Sequence, residues 1–345
     1  MSDGGSTRAR NGRATLADVA RLAGVSPSTA SRALNDQAGP SVSTRKAVAV
    51  AASALQFRPS VLARSLRMQR THTIGFIVPD ISSPFYAAVL RSAHQHLEDS
   101  GYRLMLMNSN RDVGAEVAAL GTLLDHPVDG LLVATTGLAA AQFRRTVGTT
   151  VPCVFFDGIV TGVGTGSVGV MNNAGMGILV DHLVGHGHRR IALLAGQQTE
   201  TTGIERLQGF RAAMKRNGLP IARGHIRLCN WTQESGYLET LELLELRPRP
   251  TAIIAASDDL AFGCFAGCQQ AELVLPQDLA IVSFDDPYFG QLLQPPLTAL
   301  TSKPVEIGQI AASLLLDALR GSLPAERDIR LPVALVQRAS CGCEA

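Results

Sequence analysis

A chain of 345 residues that is 46% hydrophobic and 17% charged can bury more than one core, which excludes a disordered protein and leaves room for two or three domains. No apolar run reaches transmembrane length, and the six cysteines show neither a disulfide framework nor zinc-site spacing, so the reading is a cytoplasmic protein with reduced thiols and no metal or cofactor. The net charge of +2 is unevenly spread: residues 1–70 hold eleven Arg or Lys against three acids, a net +8, which leaves −6 on the remainder. A basic head on an acidic body is the footprint of a nucleic-acid binder with a separate second domain.

Residues 1–13 are polar, rich in Gly and Ser, and basic, and read as a disordered arm rather than a secretory signal. Residues 15–35 predict two short helices joined by a tight turn. Thr15 caps the first, with Asp18 as the short-armed partner of a capping box, and Leu16, Val19, Ala20 and Ala23 share its buried face. Gly24 ends that helix, Ser26 caps the second, and Pro27 fits its first turn. Ala30, Ala33 and Leu34 face inward, leaving Ser28, Thr29, Ser31, Arg32 and Asn35 outside. A face of small hydroxyls, one amide and one Arg, without an acid, suits a DNA major groove. A generic helical hairpin is the plainer alternative, and the charge of the segment weighs against it.

Ser41 caps a third helix running to about residue 55, which completes a small headpiece over residues 14–58. Phe57-Arg58-Pro59-Ser60 breaks it. Residues 61–67 form a basic amphipathic piece, too short to be stable alone; residues 59–70 are thus a hinge helix or a plain linker.

From residue 71 strands and helices alternate. Strands are expected at 73–79, 103–108, 130–134, 151–156, 168–171 and 190–194 and around 227, 253 and 281; helices at 84–100, 173–187 and 205–217 are among those between them. The fold class is therefore α/β: parallel sheets flanked by helices, in two lobes. Ligands in such folds bind beyond the carboxyl ends of the strands, which singles out residues 80–85, 108–112, Asp157, Trp231, Asp258 and Asp285. For Asp258 and Asp285 the plainer role is capping of the next segment, and for Trp231 core filling.

Several motifs together resemble the LacI/GalR (lactose repressor) family of bacterial transcription regulators. Residues 15–35 resemble its helix-turn-helix and residues 57–66 its hinge helix. Residues 73–85, Val128-Asp129-Gly130, residues 187–191, Asp258-Asp259, Phe284-Asp285-Asp286 and residues 295–298 resemble its effector-binding core. The resemblance implies a three-helix headpiece and hinge, then a periplasmic-binding-protein-like core over 71–340. Its first lobe would hold about 71–168 with 302–322, and its second about 169–298 with 325–340. It implies a homodimer on near-palindromic double-stranded operator DNA, held on the nucleoid through that DNA and regulated by a sugar, sugar acid or related metabolite.

By position, Thr15, Leu16, Ser26, Pro27, Ser28, Thr29, Ser31, Arg32 and Asn35 would meet the major groove. Ser60, Ala63 and Leu66 would meet the minor groove, where Leu66 would act as an apolar wedge. Phe85, Asp157, Arg206, Trp231, Asp258 and Asp285 would line the effector cleft. Three positions depart from the family pattern: Ile204 where an Arg is common, Gly158 where an Arg often follows the aspartate, and Met171 where an Asp often precedes Asn172. They suggest a smaller, less hydroxylated or more apolar effector.

Catalysis is the rival reading. Gly164-Thr-Gly-Ser-Val-Gly169 fits a dinucleotide fingerprint, but a strand is expected where the motif must open a helix. His182, His186 and His188 lack an acid at metalloprotease spacing, and Ser43 with Lys46 lies in the basic headpiece. A transport-type binding protein would need an export signal and no basic head.

Overall fold

The computed structural model describes residues 14–35, 37–57, 70–126, 128–149, 151–322 and 327–343. Contacts divide the chain into two units that meet in sequence at Thr71 and His72.

The first unit contains α1 (Leu16–Leu22), α2 (Pro27–Leu34) and α3 (Val42–Ala54). Each helix begins on a hydroxyl cap. Thr15 accepts from Asp18 N while the Asp18 carboxylate accepts from Thr15 N, the reciprocal pair expected. Ser26 and Ser41 accept from Thr29 N and Thr44 N. Gly24 turns the chain between α1 and α2 at φ +67°. Val19, Ala20, Ala30, Ala33, Val48, Ala51 and Ala52 form the core, with Leu16, Leu34 and Phe57 packed against it. The proposed arm and hinge, including Ser60, Ala63 and Leu66, lie outside the described residues.

The second unit holds two six-stranded sheets. In the first lobe β1 (Thr73–Val78), β2 (Arg103–Asn108), β3 (Gly130–Val133), β4 (Cys153–Phe156), β5 (Gly166–Val170) and β11 (Asp328–Leu331) lie in the order β11-β5-β4-β3-β1-β2, all parallel. Helices α4 (Pro84–Glu98), α5 (Val113–Asp125), α6 (Ala140–Val147) and α11 (Pro304–Arg320) belong to this lobe. In the second lobe β6 (Ile191–Ala195), β7 (Ile226–Leu228), β8 (Ala252–Ala255), β9 (Ala280–Phe284), β10 (Thr298–Thr301) and β12 (Ala334–Val336) run β12-β10-β9-β8-β6-β7. Only β12 is antiparallel there. Its helices are α7 (Asn172–Gly185), α8 (Thr201–Arg216), α9 (Gln233–Leu244) and α10 (Asp258–Gln270). The central strands β3, β4, β5, β6, β8 and β9 are buried along their whole length, as sheets covered on both faces require.

The chain passes between lobes three times, at Met171, at Ser302–Lys303 and at Pro332–Val333. This corrects the lobe boundaries read from sequence. Asp328–Leu331 pairs with β5 in the first sheet, so the last crossing falls after residue 331 and not before 325. Likewise Gly166–Val170 belongs wholly to the first lobe, beyond the expected boundary at 168. The glycine motif at 164–169 runs into that strand and opens no helix.

Candidate functional site

On α2, Pro27, Ser28 and Arg32 are exposed, and Thr29 and Asn35 are half-buried. The hydroxyls of Ser28 and Thr29 each lie 2.9 Å from Ser26 Oγ, so the start of the helix presents a small cluster of hydroxyl groups. Asn35 turns back and donates to Ser31 O. Thr15 is exposed, whereas Leu16 packs partly into the headpiece core. Ser31 is a correction: at 7% exposure it lies inside, not on the outer face. At 3.6 residues per turn it stands about 60° around the helix from Leu34, close enough to share the inward stripe.

The six residues expected to line the cleft come together between the lobes, joined by Ser83, Tyr86, Arg111, Glu200, Thr202, Ser257 and Asp259. The fold explains the convergence. Asp157 and Asp285 occupy matching places, each following a strand that ends in Phe, with φ +57° and +71°. That left-handed turn is one an Asp tolerates better than most side chains. Arg111, at φ +56°, follows β2, and Trp231 follows β7. Ser257 caps α10 by accepting from Leu260 N, so Asp258 is not that helix's cap. Trp231 is both cleft wall and core: it is 5% exposed, and its ring lies over Gly196, where a Cβ would come within 1.9 Å.

Arg206 is held on three sides within the second lobe. Its Nε donates to Asn172 Oδ1 at 2.9 Å, and its Nη1 donates to Ala256 O and, at 3.1 Å, to Asp285 Oδ2. The guanidinium also stacks 3.7 Å from the Phe284 ring centroid. On the first-lobe side of the cleft Tyr86 donates its Oη proton to Asp157 Oδ2 at 2.8 Å. Trp231 Nε1 donates to Glu200 Oε2 at 2.9 Å. Arg111 lies 3.4 Å from Asp80 in its own lobe and 3.8 Å from Asp259 in the other. Two more contacts join the lobes: Ile159 N donates to Thr201 Oγ1 at 3.0 Å, and Arg330 meets Glu205 at 3.3 Å.

Three buried atoms in this lining have no hydrogen-bond partner among the described residues: Arg111 Nε, Glu200 Oε1 and Asp285 Oδ1. Burial pushes the Glu200 carboxyl up to about 7, with Asp157 adding repulsion. Burial likewise pushes Asp258 up to about 8, reinforced by Asp285 and Asp259. The space between these groups is about 40 Å³ and opens to solvent on one side.

The lining holds a charged donor that the three departures from the family pattern leave out. Arg111 brings a guanidinium from the first lobe although Ile204 offers none from the second. Gly158 is also accounted for: a Cβ there would sit 2.4 Å from Thr135 O, so no side chain fits. Glu200 escaped the sequence reading because α8 begins four residues before the expected start at 205, on a Glu that makes no cap bond. Arg111 falls within the strand-end stretch at 108–112, where spacing alone does not distinguish it from its neighbours. Tyr86 carried no signal beyond its place beside Phe85.

Residues 15–60 match the bacterial regulatory proteins of the lacI family, and residues 180–341 match a periplasmic binding protein-like domain. The chain is 33% identical over 330 residues to the ribose operon repressor of Escherichia coli K12, covering 95% of this chain and 99% of that one. It is 31% identical to the HTH-type transcriptional repressor PurR of Actinobacillus pleuropneumoniae serotype 3, covering 89% and 91%. Among solved structures, the lac repressor dimer bound to operator and the anti-inducer ONPF superimposes with a TM-score of 0.84 at 28% identity, over 96% of this chain and 99% of that one.

Proposed function

This chain belongs to the lacI family of bacterial regulatory proteins, transcription repressors with a DNA-binding headpiece and an effector-binding core, and from that premise we propose how its residues divide the work. The exposed start of α2, with Pro27, Ser28, Thr29 and Arg32, reads base edges in the major groove, and Thr15 with the cap of α1 contacts backbone phosphates. Leu66 wedges into the minor groove at the operator centre.

The cleft takes a small, neutral, hydroxyl-rich effector. The observation that carries this is the trio of unpartnered buried atoms, two carboxylate acceptors on Glu200 and Asp285 and one donor on Arg111. A hydroxyl both donates and accepts, so adjacent hydroxyls satisfy such a set, with Trp231 and Phe85 as apolar walls. An anionic effector would meet five carboxyl groups against two guanidiniums, and each of those that is ionised would repel it. A repressor of the ribose operon stands among the relatives, so ribose is the first compound to test.

A second copy docks along the edge of the first lobe. There Ile81, Ala87, Leu90, Leu104 and Leu106 line an apolar groove between α4 and the edge strand β2. The lac repressor that this chain resembles is a dimer on its operator.

The test of the cleft is a titration of the single Trp, Trp231, by intrinsic fluorescence against ribose, other aldoses, polyols, sugar acids and nucleobases. Saturable change with a neutral polyhydroxy compound supports the proposal. Saturation by a sugar acid or a nucleobase, with no response to neutral sugars, contradicts it.

A further inference from the structure

We propose that the second lobe carries a zinc site formed by His182, His186, Cys341 and Cys343. The sequence predicts no metal, because the cysteine pairs lack a second pair at zinc-site spacing and the histidines lack an acid at metalloprotease spacing. The fold supplies the match across the length of the lobe. His182 and His186 are four residues apart at the carboxyl end of α7 and share one face. The chain returns after β12, and its last turn brings both sulfurs to that face. Gly342, at φ +92°, makes the turn that lets two cysteines two residues apart point the same way.

The turn is anchored independently of the four residues. Arg338 grips Asp286 with both terminal nitrogens, at 2.7 and 2.9 Å. Ser340 Oγ accepts from Thr298 N and donates to Ile281 O.

All four donor atoms lie within 4.8 Å of one another. Cys341 Sγ is 3.2 Å from His182 Nε2, Cys343 Sγ is 3.2 Å from His186 Nε2 and 3.7 Å from His182 Nε2, and the sulfurs are 3.4 Å apart. Zinc at about 2.3 Å from sulfur and 2.0–2.1 Å from nitrogen in a tetrahedron puts S···S near about 3.8 Å, S···N near about 3.5 Å and N···N near about 3.3 Å. The four separations given lie within about 0.4 Å of these values and no pair is further apart than 4.8 Å, so shifts of about an ångström bring the four atoms onto a zinc shell. Two thiolates and two neutral imidazoles select zinc over hard cations, and they balance its charge at a half-buried place. The two thiol protons leave to solvent on binding.

A disulfide is the competing account. It would explain two of the four residues, and both cysteines are free thiols at 3.4 Å. With four protein donors no position is left open for chemistry, so the site is structural. It ties α7, which follows the first crossing between lobes, to the tail that follows the last. His186 is exposed, which gives the ion a path in.

The test uses the full chain, reduced and stripped of metal, titrated with cobalt(II). One equivalent should give the intense visible bands of tetrahedral cobalt together with a near-ultraviolet thiolate charge-transfer band, both bleached by one equivalent of zinc. Zinc should raise the melting temperature. Cys343→Ser and His186→Ala change exposed or half-exposed groups and keep the fold, and each should weaken metal binding by roughly 100-fold or more and abolish the thermal shift. Three results overturn the proposal: cobalt uptake without the charge-transfer band, full uptake by both variants, or a Cys341–Cys343 disulfide in protein that takes up no metal once reduced.

Discussion

Asp285 offers one carboxylate oxygen to Arg206, at 3.1 Å, and leaves the other buried inside the cleft without a partner among the described residues. Arg206 holds the carboxylate in place, and under the proposed function the spare oxygen accepts from an effector hydroxyl. Asp285→Asn keeps the shape and removes the charge. It should weaken effector binding by about 10- to 100-fold, since hydrogen bonds to charged groups contribute about 1.5–3 kcal/mol. Operator binding without effector should stay within about threefold of wild type, and calorimetry beside an operator titration checks both.

Arg111 carries the only unpartnered donor of that buried trio, and it comes from the lobe opposite Arg206. Arg111→Ala should cost effector affinity by a comparable factor while also removing the 3.8 Å approach to Asp259 that links the lobes. If the substitution leaves effector affinity unchanged, the donor for the hydroxyls lies elsewhere.

The raised carboxyls of Glu200 and Asp258 make the core sensitive to pH. An acid whose folded pKa lies above its unfolded value of about 4 favours the folded state while protonated. That contribution is full below about pH 4 and is lost as pH rises through about 7 for Glu200 and about 8 for Asp258. The melting temperature of the effector-free chain should therefore fall between pH 6 and pH 8.5. Glu200→Gln should flatten part of that fall. Effector hydroxyls that donate to ionised carboxylates should bind more tightly at pH 8 than at pH 6, with protons released to buffer.

In the headpiece, exposure separates readers from packing. Arg32→Ala should cost about 1–3 kcal/mol on the specific operator and much less on random DNA. Ser31→Ala should change neither by more than about threefold, because the side chain is enclosed rather than presented to the groove. Equal losses from Arg32→Ala on both DNAs would reassign it to a phosphate contact.

For the dimer, Ile81→Asp places a charge on the half-exposed rim of the apolar groove and should shift sedimentation from dimer toward monomer.

Much of this was legible because local chemistry punctuates the chain. The caps at Thr15, Ser26 and Ser41 and the turn at Gly24 marked the headpiece helices residue by residue. Strand ends marked Asp157, Asp258 and Asp285, because a parallel sheet must deliver those positions to the cleft. What escaped depends on tertiary placement. Ser31 is on the border of a helical stripe, where spacing alone does not settle burial. Glu200 heads a helix without the usual capping residue. The strand at Asp328–Leu331 joins one sheet and that at Ala334–Val336 the other, although only two residues separate them. His182 and Cys343 meet across more than 150 positions, beyond any spacing rule.

The central claim is that occupancy of the cleft governs the grip on DNA, and it is tested most directly by operator affinity measured with and without the compound that saturates Trp231. Wild type should shift its operator affinity at least about tenfold, a coupling of about 1.4 kcal/mol, and Asp285→Asn should lose that shift at the same compound concentration. A compound that saturates Trp231 while operator affinity stays constant would contradict the account.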